Sequence, residues 1–122
     1  MDINSIWVNE MKAGDYNPVH IHQGKLFTGL SSVMILKLPK DMGPELARPD
    51  QPMNGQLQMM GSASGQFVTA DYSPKMKIGD FYVFPYDVRH VVYPFTNKKA
   101  KRRTLVCNVD VEYNPVSSRT AQ

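Results

Sequence analysis

Asn17-Pro18-Val19-His20-Ile21-His22 decides the reading of this chain. In an extended strand successive side chains point to opposite faces, so His20 and His22 share one face and Val19 and Ile21 the other. Two imidazoles two residues apart stand close enough to share one metal ion. Gly14-Asp15 ahead of the stretch and Gln23-Gly24-Lys25 behind it read as turns, which confines the histidines to one short strand. The third and last histidine of the sequence, His90, opens the later strand-like stretch Arg89 to Tyr93. Closing a sheet would bring it beside the pair. Three protein ligands on one face leave coordination positions open, as a catalytic metal requires.

Working outward, the rest of the chain reads as strands and turns. Ile6-Trp7-Val8 opens the pattern, Leu30 to Leu38 is a longer apolar run expected to be buried on both sides, and Gln56 to Met60 alternates. Phe67-Val68-Thr69 follows the turn signal Ser62-Ala63-Ser64-Gly65. Phe81 to Pro85 and Thr104 to Val111 complete the set. Prolines at 39, 44, 49 and 52 make the intervening segment loop-like. Seven to nine short strands without a helical period predict an all-β fold with little helix, a barrel or sandwich.

Composition narrows the function classes. The chain has 122 residues, 42% hydrophobic and 20% charged, which suits one globular domain. That domain is expected over residues 1–113, with a loose polar tail at 114–122. No apolar run approaches the roughly 18 residues of a membrane span, and the N-terminus lacks a signal-peptide layout. A single cysteine, Cys107, excludes an intrachain disulfide and favours a reducing, cytoplasmic setting, with Cys107 read as a packing residue. The net charge of +3 comes largely from Lys98, Lys99, Lys101, Arg102 and Arg103. No aromatic residues interleave with them, so a solvated hairpin connection is expected and not a nucleic-acid surface.

The motifs, in order, are W-V-N at 7–9, K-A-G-D-Y-N-P-V-H-I-H at 12–22 and T-G-L-S-S-V at 28–33. They continue with G-D-F-Y-V-F-P at 79–85, H-V-V-Y-P-F at 90–95 and R-x-T-L-V-C-N at 102–108. Together they resemble the core of the iron(II)- and 2-oxoglutarate-dependent oxygenases found in bacteria and tailed phages, distantly related to prolyl hydroxylases. The resemblance implies a double-stranded β-helix, a jelly-roll or cupin-like barrel. It implies Fe(II) as the metal, with His20 as first ligand and His90 as distal ligand. It also implies 2-oxoglutarate as cosubstrate, its far carboxylate held by Arg102 and Thr104, with Arg103 as substitute if the register slips by one. Decarboxylation of the oxoacid to succinate would be coupled to hydroxylation of an unidentified small-molecule or peptide substrate. Alternation supports the placement, because Arg102, Thr104, Val106 and Asn108 fall on one face. A guanidinium fork matches a carboxylate, and a hydroxyl adds a further donor.

Two departures shape the expectation. His22 stands where that family has a carboxylate ligand, making a three-histidine set His20, His22 and His90. Such sets occur in cupins, whose G-x5-H-x-H pattern runs here from Gly14 to His22. The glutamate expected to follow is absent, Leu26 and Phe27 standing there, and Pro94 replaces an expected Asn. A cupin-like metalloprotein without 2-oxoglutarate is therefore the alternative, and a catalytically inactive binding module on the same barrel is a third. The other departure concerns the helical region that usually covers the major sheet in the resembling proteins. Trp7 begins the core strands almost at once, so a homodimer is expected to cover the apolar sheet face. Met42, Met53, Met59 and Met60 suit either a substrate entrance or core filling, and Tyr16, Tyr82 and Tyr86 suit hydrogen bonding in the pocket.

Overall fold

The computed structural model describes residues 1–47, 50, 52–61, 65–67 and 70–112. Eight strands run β1 (Asp2–Lys12), β2 (Asn17–His20), β3 (Gly29–Lys37), β4 (Leu57–Met60), β5 (Asp71–Tyr72), β6 (Phe81–Pro85), β7 (Arg89–Val92) and β8 (Lys101–Asp110). They form two four-stranded antiparallel sheets, a major sheet β1-β8-β3-β6 and a minor sheet β2-β7-β4-β5. Successive strands cross repeatedly from one sheet to the other, which is the winding of a double-stranded β-helix. The all-β expectation holds. No helix occurs among the described residues, and hence none long and apolar enough to cross a membrane.

The strands form where apolar and polar residues alternate. Along β8, Arg102, Thr104, Val106, Asn108 and Asp110 are all buried while the residues between them are half-buried. The expected one-face set is therefore the inner face of the major sheet. Between the sheets, Val33, Ile35, Phe84 and Val106 form one apolar cluster and Met11, Leu57, Val92 and Phe95 another. Met59, Met76 and Tyr82 pack against both, which ties the two clusters into one core. Met42 packs against the second, so Met42 and Met59 fill core space in the manner expected of a flexible thioether.

Several local expectations are corrected. β3 is not buried on both sides: Ser31, Val33 and Ile35 face the core, whereas Leu30 and Leu36 are exposed. β2 ends at His20, so His22 lies beyond the strand and not within it. Phe67 sits in an exposed turn, and the short strand of that region is Asp71–Tyr72. Val68, Thr69, Ser62 to Ser64 and the tail at 114–122 lie outside the described residues. Cys107 is half-buried on the outer face.

The turn between β1 and β2 sets the entry of the histidine strand. Gly14 takes a left-handed φ of 86°, donates its N–H to the Phe95 carbonyl at 3.0 Å, and is followed by an Asp15 N–H bond back to Lys12 O at 3.0 Å. A side chain at that φ would be strained, so Gly14 holds the reversal. Beside it, just ahead of β8, Lys98 and Lys99 occupy an exposed turn, as the solvated-connection reading requires. Arg103 and Lys101 pair with Glu10 on the outer face, at 2.9 and 3.3 Å.

Candidate metal centre

His20, at the end of β2, and His90, on β7, are opposite partners in the minor sheet. His22 follows two residues past the end of β2, and its N–H donates to the Tyr86 carbonyl at 2.9 Å, which holds that segment against the β6–β7 connection. The three rings converge: centroids lie 4.1 Å apart for His20 and His90, 4.8 Å for His22 and His90, and 5.1 Å for His20 and His22. One ring nitrogen from each lies within 4.8 Å of the others, a spacing that could hold one metal ion. The structure thus brings together all three predicted histidines.

Backbone carbonyls orient two of them. His20 Nδ1 lies 2.6 Å from Pro18 O and His90 Nδ1 lies 2.9 Å from Val88 O. A carbonyl only accepts, so each Nδ1 carries the hydrogen and each Nε2 presents a lone pair. Phe84 meets the His90 ring edge-on at 4.7 Å and fixes its plane. His22 is held differently: its Nδ1 faces the amide nitrogen of Asn108 at 3.2 Å, and its Nε2 faces His90 Nε2 at 2.9 Å. Burial, then His90 and His20 beside it, pushes the His22 pKa down to about 4. Burial also lowers that of His90. Both rings are therefore neutral at ordinary pH, the form that binds a metal.

The histidines open into a cavity of about 310 Å³ between the sheets. Its polar lining is completed by Asn9, Asn17 and Thr104, and its apolar walls include Trp7, Val33, Leu57, Val92 and Val106. A larger, more apolar hollow of about 400 Å³, lined by Phe27, Leu30 and Tyr86 among others, contains none of the histidines. The chemistry therefore belongs to the first cavity.

Thr104 lines this cavity, as placed from the sequence. Arg102 lies two residues further along the same face and is 2% exposed, so it is no solvated turn charge. Among the described residues its terminal nitrogens face only sulfur, Met11 Sδ at 3.9 Å and Met76 Sδ at 3.5 Å, and its Nε has no hydrogen-bond partner. Desolvation lowers its pKa to about 10. Arg103, the substitute under a shifted register, points outward to Glu10. The two arginines thus lie on opposite faces of β8, Arg102 inward and Arg103 outward.

The tyrosines are placed elsewhere. Tyr82 donates to Asp80 at 2.8 Å, buried Tyr86 donates to Asp110 at 2.8 Å, and Tyr16 is exposed. Trp7, Asn9 and Asn17 were not singled out by sequence reasoning, although all three lie within the quoted motifs. The available signal was that Trp7 and Asn9 share a strand face; which face points inward is set by pairing, Asn9 opposite Thr104 and Trp7 opposite Val106.

Among solved structures, the chain is similar to a cupin protein from Bacteroides fragilis, with 13% identity over 91% of this chain and 71% of that one, at a TM-score of 0.45. It is also similar to an RmlC-like cupin protein from Desulfovibrio desulfuricans, with 17% identity over 88% and 78% of the two chains, at a TM-score of 0.44. No curated protein matches. The family model described as "Putative 2OG-Fe(II) oxygenase" matches residues 5–108, from β1 to near the end of β8, and the chain belongs to that family.

Proposed function

We propose that the protein is an Fe(II)- and 2-oxoglutarate-dependent oxygenase, with iron held by His20, His22 and His90 and the far carboxylate of 2-oxoglutarate by Arg102 and Thr104. The residues fit both groups. Three imidazoles converge on one point, a donor set suited to a divalent first-row metal. The observation that carries the oxoacid is Arg102. A buried guanidinium without a carboxylate partner is costly, because desolvation of the charge is not offset. An anionic ligand with two oxygens offsets it. Bound iron and 2-oxoglutarate would together supply the oxidising chemistry, with decarboxylation of the oxoacid to succinate.

The chain's own residues would do the rest. Trp7, Val33, Leu57, Val92 and Val106 keep water from the metal side of the cavity and lower its dielectric. Thr104 offers a hydroxyl in the histidine cavity and shares a strand face with Arg102. The thioethers of Met11 and Met76 cap the guanidinium, and their free rotation lets a carboxylate displace them.

The test is succinate release from 2-oxoglutarate by the Fe(II)-loaded protein, with the melting temperature followed as the oxoacid is added. Ligand at a hundred times its dissociation constant stabilises by about 2.7 kcal/mol. Arg102→Ala is expected to abolish that shift while leaving metal affinity intact. No succinate and no shift in the parent protein would reject the proposal in favour of a three-histidine metalloprotein without the oxoacid.

A further inference from the structure

Behind His22 lies a buried polar pair that the proposed reaction leaves unused. Ser31 on β3 and Asn108 on β8 are direct partners in the major sheet, 0% and 4% exposed. The Ser31 hydroxyl donates to Asn108 Oδ1 at 2.7 Å, and Asn108 Nδ2 faces His22 Nδ1 at 3.2 Å. An amide nitrogen only donates, so Nδ1 accepts and the single ring hydrogen of neutral His22 sits on Nε2. That hydrogen points at the Nε2 lone pair of His90, 2.9 Å away. In this arrangement His20 and His90 offer lone pairs to a metal, but His22 offers an N–H.

Coordination through His22 Nε2 needs the opposite tautomer. Its Nδ1 must then carry the hydrogen and face an acceptor. A half-turn of the Asn108 amide supplies one: Oδ1 takes the place of Nδ2 against His22, and Nδ2 turns to Ser31. A serine hydroxyl both donates and accepts, so Ser31 satisfies Asn108 in either orientation. The backbone need not move, because the two ends of the amide have nearly the same shape.

We propose that Asn108, seated on Ser31, is the positioning residue that decides whether His22 is a metal ligand. Its amide presents nitrogen to His22 in the metal-free protein and oxygen in the loaded one. The third ligand is thereby conditional: His20 and His90 are preset by backbone carbonyls, whereas His22 joins only as the amide turns. This rests on the reading that the three histidines hold a metal.

The experiment uses the full chain, labelled with ¹⁵N, and Zn(II) as a diamagnetic probe. Long-range ¹H–¹⁵N correlation spectra show which nitrogen of each ring carries the hydrogen. The expected result is a His22 Nε2–H tautomer without metal and Nδ1–H with Nε2 coordinated after zinc is added. In Asn108→Asp, whose carboxylate only accepts, His22 should be Nδ1–H before any metal, with zinc affinity raised about tenfold. Asn108→Ala should lower affinity about 10- to 100-fold, the usual range for losing a partner that orients a ligand. If zinc shifts His20 and His90 while His22 keeps its hydrogen on Nε2, the proposal is overturned and the metal site stands. If zinc shifts no histidine, the metal-site reading falls with it. The parent spectra alone decide between these outcomes, whether or not the variants fold.

Discussion

Both faces of the major sheet depart in part from the usual arrangement of polar outside and apolar inside. Its inner face carries Ser31, Arg102, Thr104, Asn108 and Asp110, all buried. Its outer face carries Ile3, Ile6, Val8, Phe81 and Val83, each more than half exposed. The minor sheet turns Leu57, Met59, His90 and Val92 toward the same interior. Buried polar groups are retained where they bind or position something, and exposed apolar groups in a contiguous set mark a surface that another body covers. The buried polar groups of the inner face suit the proposed metal centre and anion site; the exposed apolar groups of the outer face form a patch suited to a partner.

The largest effect that tests this contrast comes from the apolar part of the inner face. Phe84→Ala is expected to cost about 3–5 kcal/mol in denaturant unfolding, since it opens a cavity between the sheets beside His90. A loss below about 1 kcal/mol would mean that the interior is not packed as described.

Next is Arg102→Met, which should uncouple stability from ligand binding. Replacing a buried cation that has no acidic partner among the described residues by an apolar chain is expected to stabilise the ligand-free protein by about 1–4 kcal/mol. The same change should remove the response to 2-oxoglutarate. Destabilisation would show that Arg102 has an internal partner and would weaken the case for an anion site.

Acid should act on the inner side through His22. The folded-state pKa of His22 is depressed to about 4 from 6.5, so below 6.5 the unfolded chain takes up a proton that the folded one refuses. Above 6.5 both states are neutral at this ring and no penalty exists. The metal-free protein is therefore expected to lose stability as pH falls from 6.5 toward 4, and His22→Leu should flatten that slope in pH-dependent melting curves.

The smallest effect belongs to the outer face. Phe81→Lys is expected to change monomer stability by less than about 0.5 kcal/mol, as is usual for an exposed position. Light scattering at micromolar concentration checks the homodimer expected from the sequence. A doubled mass that Phe81→Lys reduces to that of one chain would support a second copy on this face. A monomeric parent would remove the idea.

Much of this was legible in the amino-acid order, because the strand period of two is a local property. Alternation alone put Arg102, Thr104 and Asn108 on one side, and the three histidines were marked by residue type. The number of strands followed from turn residues. The run Leu30 to Leu38 misled, since its hydrophobicity suggested two buried faces, whereas Leu30 and Leu36 lie on the open outer side. The register of the pairing set that outcome, and it arises from residues more than seventy positions apart, Ser31 opposite Asn108.

By itself, then, the sequence determined the all-β class, the face shared along each strand and the identity of the metal-ligand candidates. Only the tertiary structure decided that His22, placed past the end of β2, still meets His20 and His90, held there by the bond of its N–H to the Tyr86 carbonyl. It also decided that Arg102 is buried with no acid beside it among the described residues, and that an amide faces His22. Both depend on which strands lie side by side, and neighbours in space are set by sheet closure and not by neighbours in the chain.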